Sequence, residues 1–156
     1  MAETIYEAAG GAEGMERLAH AWHVRVLADP VVSHAFEHGF REDHTERLAA
    51  YLGEALGGPR TYTEEMGNET DVVRMHSGNG VHEEMDRLAL DAWDGALADC
   101  GLDDDPRLAA TLHDYFADGI RRMGEHHHGV DDVPFGLPLQ RWSWDSRAED
   151  LPAHLR

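Results

Sequence analysis

Lysine is absent from this sequence of 156 residues, and cysteine occurs once, at Cys100. A chain without lysine cannot form a lysine Schiff base and cannot supply the lysine of a phosphate-binding loop. A single cysteine excludes an internal disulfide and a zinc site built from several cysteines. The scarcity of cysteine favours a protein of a reducing compartment, and we expect it to be cytoplasmic.

Basic residues of any kind are scarce, since 13 arginines stand against 31 acidic residues and give a formal net charge of −18. A surface of this charge repels the phosphates of nucleic acids and the head groups of anionic lipids. The sequence also has no apolar run near the roughly 20 residues of a membrane span, and its start lacks the basic and apolar segments of a secretion signal. We therefore expect neither a nucleic acid nor a membrane as a partner.

Strand-like alternation of useful length is also missing, whereas apolar residues recur at steps of three and four residues. This pattern predicts an all-α fold, and the length fits one hydrophobic core of ordinary size. The predicted long helices run roughly over residues 14–28, 43–56, 83–98 and 106–123. A short helix is predicted over 71–76, inside a stretch from 58 to 81 that glycines interrupt and that should otherwise be loop.

The last segment of the chain has a different composition. From Val130 onward it is rich in proline and tryptophan and shows no helical period. Trp142 and Trp144 indicate that this segment packs on the helical body, because large aromatic side chains are seldom left in solvent. We expect a helical domain over 1–130 and a non-helical extension over 131–156.

Histidine is in excess, with twelve copies. The run from His126 to His128 lies beside glycines and indicates a solvated loop or helix end. His44 lies on the apolar face of its predicted helix, and His23 lies at the edge of such a face. A buried imidazole without a partner costs about 1–3 kcal/mol, so His44 needs a hydrogen-bond partner, a metal or a ligand. His76 ends the short helix, where it and His44 could face each other across a flat cofactor.

Four segments carry a resemblance to a known family. They are Ile5-Tyr6-Glu7-Ala8-Ala9-Gly10-Gly11, Asp29-Pro30-Val31-Val32, Glu46-Arg47-Leu48 and Gly57-Gly58-Pro59-Arg60-Thr61-Tyr62. Over about residues 4 to 123, the sequence resembles the truncated haemoglobins, specifically their group II. The resemblance implies a shortened globin, a two-over-two helical sandwich around one b-type haem whose iron is held by a single proximal histidine.

The resemblance also implies roles for individual residues. His76 matches the proximal iron ligand, and His82 competes for that role because the segment between them is longer and richer in glycine than the family pattern. Phe36 matches the aromatic residue that wedges the porphyrin, at the start of a short aromatic corner over 36–40. Leu48 matches the apolar position above the iron.

On the distal side, His44 matches the gate position, and His23 stands where the family generally keeps a tyrosine. Arg47 matches a residue that reaches a haem propionate, although pairing with Asp43 or Glu46 would explain it equally well. Two further haem contacts are expected at Arg74 and at Trp93, and core packing alone would also account for the tryptophan.

Three functions remain open at this point. The first is binding of a diatomic ligand, dioxygen or nitric oxide, as in oxygen binding or oxygen transport. The second is a haem-dependent oxidation, peroxidase-like or biosynthetic, in which His23 and His44 act as acid and base and an external donor supplies electrons. The third is a non-haem metal site, for which the segment from His82 to Asp86 is a candidate.

Overall fold

Residues 2–36 and 41–156 are described by the structure, which is a computed structural model. Within these ranges the chain forms helices and no β-strand, which confirms the predicted all-α class. The six α-helices are α1 (Ile5–Ala8), α2 (Gly11–Ala28), α3 (His44–Ala55), α4 (Glu69–His76), α5 (Glu83–Asp99) and α6 (Pro106–Met123). Shorter helical turns cover Val32–Phe36, Tyr62–Met66, Leu102–Asp104, Val130–Asp132 and Ala153–Leu155.

The first helical segment begins earlier than its apolar period predicts. Thr4 and Glu7 form a capping box, in which each side chain accepts from the other residue's backbone N–H, and this starts α1. Gly10 then turns the chain at a φ of 100°, and α2 begins at Gly11. The Thr-x-x-Glu spacing was visible in the sequence, so this short helix was open to prediction.

The later helices agree closely with their predicted ranges. Asp43 is the residue before α3, and Gly57 turns the chain just beyond its end at a φ of 102°. Asp105 caps α6 by accepting from the backbone N–H groups of two residues in its first turn, and Pro106 occupies the first helical position. The predicted bounds of α6 are therefore those observed.

The stretch predicted to be mostly loop contains more helix than expected. Tyr62–Met66 forms a π-helical turn, and the carboxylate of buried Glu54 holds its start by accepting from the backbone N–H and the hydroxyl of Thr63. Helix α4 begins at Glu69, two residues before the predicted start, because the Asn68 side chain caps it. A glycine-rich composition concealed both features, since their stabilising partner residues are polar rather than periodic and apolar.

The long helices form two packed pairs, α2 with α3 and α5 with α6, and α2 also packs on α5. This is the two-over-two arrangement expected from the resemblance. Between the pairs lies one main core, whose largest fully buried side chains include Trp93, Met15, Leu18, Leu52 and Leu112. None of the helices in the described ranges has the length and apolarity to cross a membrane.

The C-terminal segment returns to the helical body. Trp142 is 6% exposed, meets Tyr115 edge-on at 5.6 Å between ring centroids, and donates its backbone N–H to the carbonyl oxygen of Ala55 at 2.6 Å. Trp144 donates its indole N–H to the carbonyl oxygen of Glu3 at 2.8 Å. Leu155 is buried in the main core.

Candidate functional site

Helices α2 and α3 bring two histidines into direct contact. His23 is 3% exposed, deeper than its predicted place at the edge of the apolar face, and its Nε2 lies 2.7 Å from Nδ1 of His44. The other ring nitrogen of His23, Nδ1, lies 2.9 Å from the hydroxyl oxygen of Thr45. A single imidazole therefore bridges two consecutive residues at the start of α3.

Phe36 packs against this pair, and Leu48 lies one turn beyond His44 on α3. The Phe36 ring meets His44 edge-on at 5.4 Å and His23 edge-on at 6.3 Å between centroids. Leu48, one turn further along α3, is partly buried against the main core. The rest of the predicted aromatic corner, residues 37–40, lies outside the described residues.

Burial keeps the two imidazoles neutral. Burial, together with the charges that His44 and His20 would carry, lowers the pKa of His23 from 6.5 to about 4. The pKa of His44 is also lowered, chiefly by burial and in part by His76, although Asp43 opposes this.

His76 makes a contact of another kind. Its Nδ1–H donates to the carbonyl oxygen of Val72, one turn earlier in α4, at 2.7 Å, while Nε2 has no hydrogen-bond partner among the described residues. The residue is exposed to solvent, and partial desolvation by the surrounding protein lowers the pKa of its imidazole. A histidine whose Nδ1–H is bonded to a carbonyl has its Nε2 lone pair available for a metal.

Polar groups attach α4 to the helical body at its first residue. The Glu69 carboxylate is buried and accepts from the Tyr51 hydroxyl at 2.7 Å and from the Arg122 guanidinium at 3.4 Å. Arg122 also pairs with buried Asp118 at 3.1 Å. The helix that carries His76 is thus fixed to α3 and α6 by a buried charged network.

The C-terminal segment holds the same helix from its other side. The Thr70 hydroxyl donates to the carbonyl oxygen of Pro134 at 3.2 Å and accepts from the backbone N–H of Leu137 at 3.0 Å. Just after His76, the backbone N–H groups of Gly78 and Gly80 donate to the carbonyl oxygens of His126 and His127, at 3.0 and 3.1 Å.

The two predicted arginines differ in their contacts. Arg47 donates to the carbonyl oxygen of Met66 at 3.0 Å, and its other terminal nitrogen lies 3.9 Å from the Asp43 carboxylate. Arg74 lies two residues before His76, with its guanidinium 5.2 Å from the centre of the Phe135 ring. Its Nε is buried without a hydrogen-bond partner among the described residues. Arg74 therefore has a donor to offer to a carboxylate.

Trp93 lies in the packed core. It is 0% exposed, stacks on Phe116 at 4.2 Å, and donates its indole N–H to the carbonyl oxygen of Leu112 at 3.0 Å. The tryptophan beside the histidine pair is Trp22, 5.4 Å from His23 between ring centroids. Neither Trp22 nor Thr45 was predicted as a site residue, and the sequence carried no signal for them beyond their neighbours.

His82 lies at the start of α5, where its Nδ1 is 2.8 Å from the carboxylate of Asp86. His154 of the C-terminal segment contacts the other oxygen of that carboxylate at 3.1 Å. Over residues 2–36 and 41–156, no three or more histidine, cysteine, aspartate or glutamate side chains are arranged to hold a metal ion. The Asp86 carboxylate thus contacts both His82 and His154, and it ties the C-terminal segment to α5.

The chain has two packed helix pairs. Among the described residues, Nε2 of His76 at the end of α4 and the buried Nε of Arg74 in the same helix have no hydrogen-bond partner. These features fit the requirements of a globin that holds a haem. In globins the haem iron takes an axial nitrogen from an imidazole, and a guanidinium is a suitable partner for a haem propionate. The family model for bacterial-like globins matches residues 4–118, and the chain belongs to this family.

Solved haemoglobin structures share the fold. The haemoglobin of Thermobifida fusca is 30% identical, with 78% of this chain and 96% of that chain covered and a TM-score of 0.65. That of Chloroflexus aurantiacus is 27% identical, with 78% and 98% covered and a TM-score of 0.68. The group II truncated haemoglobin of Bacillus anthracis, 23% identical with 79% and 92% covered, shows the same fold at a TM-score of 0.70.

A group 1 truncated haemoglobin of Tetrahymena pyriformis is 35% identical over 60 residues, which are 38% of this chain. The matched part of this chain spans about half the length of that curated relative, 50%. The family match and these similarities place the chain among the globins of the truncated haemoglobin type.

Proposed function

We propose that the protein binds one haem b through His76 and takes dioxygen or nitric oxide on the side of His23 and His44. The observation that carries this proposal is the state of His76, with Nδ1–H bonded to Val72 and Nε2 unbonded among the described residues. His82, the competing ligand, has its Nδ1 against Asp86 and lies at the start of another helix.

His76 is suited to a strong bond with iron. Hydrogen bonding of Nδ1–H to a carbonyl oxygen fixes the tautomer and the ring orientation, and it raises the basicity of Nε2. The haem, when bound, supplies the iron on which a diatomic ligand binds reversibly. The buried network at Glu69 keeps the start of α4 in place, so that His76 keeps its position at the other end of the helix.

The remaining predicted residues take roles that follow from their contacts. Phe36 and Leu48 provide apolar surface beside the distal histidines. The unpaired Nε of Arg74 makes this arginine the stronger candidate for a haem propionate, because Arg47 already donates to a backbone carbonyl. Trp93, expected as a further haem contact, lies in the core with its indole N–H on the carbonyl oxygen of Leu112.

A second candidate function is a haem-dependent oxidation, and one observation favours it. The 2.7 Å contact between His23 and His44 allows a proton to pass from one ring to the other, as acid and base catalysis on a peroxide substrate requires. For such a reaction, reducing equivalents would come from an external electron donor.

We also propose that the chain consists of two parts with different roles. Residues 1–130 form the haem-binding body, and 131–156 form an extension that packs on it. The family match ends at residue 118, while Trp142 is buried and Thr70 of α4 bonds to the extension twice.

Titration of the purified protein with haem tests the leading proposal. We expect saturation at one haem per chain and, in the reduced protein, an absorption spectrum with the features of histidine ligation. Carbon monoxide and dioxygen should each change this spectrum reversibly. A protein that takes up no haem, or that binds iron without porphyrin, would contradict the proposal. Rapid turnover of hydrogen peroxide with an added electron donor would favour the second candidate.

A further inference from the structure

Thr45 extends the distal histidine pair into a chain of three hydrogen-bonding groups. Its hydroxyl oxygen lies 2.9 Å from Nδ1 of His23, and Nε2 of His23 lies 2.7 Å from Nδ1 of His44. His44 and Thr45 both belong to the first turn of α3, so two consecutive residues of one helix orient the His23 ring. His23 itself is 3% exposed. Neighbouring groups rather than water therefore determine which of its ring nitrogens carries the proton.

The three hydrogen-bonding groups can act as donor and acceptor in two arrangements, which we call the forward and the reverse order. A neutral imidazole carries one ring proton, and the contact between the two histidines needs one N–H and one lone pair. In the forward order, Thr45 donates to His23, His23 donates to His44, and His44 holds its own proton on Nε2. In the reverse order, His44 donates from Nδ1 to His23, His23 donates to Thr45, and Nε2 of His44 is a lone pair.

The hydroxyl of Thr45 favours the forward order. Among residues 2–36 and 41–156, its only hydrogen-bond partner is Nδ1 of His23. The forward order uses the hydroxyl proton in that bond, whereas the reverse order leaves this half-buried proton without a protein acceptor. One additional hydrogen bond changes a ratio of populations by about 2- to 10-fold.

We propose that Thr45 is a positioning residue that sets this forward order, so that His44 carries its proton on Nε2 and offers an N–H to a diatomic ligand. The inference rests on the proposed function for the identity of the ligand. Dioxygen accepts such a hydrogen bond through its partial negative charge, and a donor of this kind slows its release. With the reverse order, the same histidine would offer a lone pair and would not hold the ligand in this way.

Nitrogen-15 NMR of the histidine side chains tests the proposal, because it shows which ring nitrogen carries the proton. The measurement is made at pH 8 on the protein as purified and on the haem-loaded protein with carbon monoxide. Thr45→Ser keeps the hydroxyl and serves as the matched control. Thr45→Asp replaces the hydroxyl by a carboxylate that only accepts, which draws the His23 proton to Nδ1 and reverses the order.

In the wild type and in Thr45→Ser, both His23 and His44 should be protonated at Nε2. In Thr45→Asp, both should be protonated at Nδ1, and dioxygen release should be about 10-fold faster or more, against a change within about 2-fold for Thr45→Ser. A wild-type His44 protonated at Nδ1 would overturn the proposal, even if Thr45→Asp did not fold. An unchanged order in folded Thr45→Asp would overturn it too. Failure to take up haem would contradict the proposed function alone, since the tautomers are also measured without haem.

Discussion

The two sides of the candidate haem site use the same residue type in opposite ways. On the distal side, His23 has both ring nitrogens engaged by neighbours from α3. On the proximal side, His76 has one nitrogen engaged by its own helix and the other without a partner among the described residues. An imidazole whose nitrogens are all engaged within the protein can position or relay a proton, whereas one with a lone pair left over can bind a metal.

The supports of the two sides also differ. The distal histidines belong to long helices that pack directly on each other. His76, the proposed proximal ligand, belongs to an eight-residue helix held by buried polar groups at Glu69 and by the C-terminal segment at Thr70. The distal side therefore depends on the family's helical core, and the proximal side depends in part on a segment beyond the family match.

Replacement of His76 should have the largest effect, and it tests whether the imidazole with the unengaged nitrogen is the one that binds the metal. We expect His76→Ala to abolish stable haem binding, because loss of an outer partner of a metal ligand already costs about 10- to 100-fold in affinity and this change removes the ligand itself. Haem titration followed by absorption measures the effect. The control is His82→Ala, which should keep both haem binding and histidine ligation. If His82→Ala loses them while His76→Ala retains them, the proximal ligand is His82.

The second prediction concerns the extension. Trp142→Ala should lower the free energy of unfolding by about 3–5 kcal/mol, because it removes a large buried aromatic side chain. Phe135→Ala in the same extension should change it by less than about 0.5 kcal/mol, since Phe135 is 83% exposed. Chemical denaturation of both variants gives the two values.

Removal of residues 131–156 should lower the melting temperature, and an unchanged melting temperature together with unchanged tryptophan emission would show that the extension does not stabilise the body.

The third prediction addresses the distal pair. His44→Leu should accelerate dioxygen release by about 10- to 100-fold, because a hydrogen bond with partial charge on its acceptor contributes about 1.5–3 kcal/mol. His23→Phe should have a smaller effect, since His23 acts through His44. Stopped-flow displacement of dioxygen measures both rates. If His23→Phe has the larger effect and His44→Leu has none, the direct ligand contact belongs to His23.

The last prediction concerns the pH dependence of stability. The pKa of His23 is about 4 in the folded protein, against 6.5 for a histidine in water, so the unfolded chain binds the proton more readily between these values. Stability should therefore fall as the pH is lowered from about 6.5 to about 4, by at most about 3 kcal/mol from this residue. Urea unfolding at several pH values measures the slope. His23→Phe should reduce the slope in this range, and an unchanged slope would mean that another group causes it.

The sequence by itself determined the helical class, most helix bounds and the histidines worth examining. Asp105 and Pro106 mark the start of α6, and regular apolar spacing marks its length, because these signals act within a few residues of one another. The short α1 was also open to prediction from Thr4 and Glu7. The position of His76 at a helix end followed from the glycines after it.

Only the tertiary structure decided how the site residues meet. Apolar spacing placed His23 at the edge of its helix face, but packing of α2 on α3 buries it against His44 and Thr45. Trp93 lies in the core with its N–H on the carbonyl oxygen of Leu112, a contact between two helices. Periodicity records which face of a helix is apolar, whereas the partner of a polar atom depends on the distance and angle between elements far apart in the chain. This is why the sequence indicated the histidines and the fold decided which nitrogen of each is engaged.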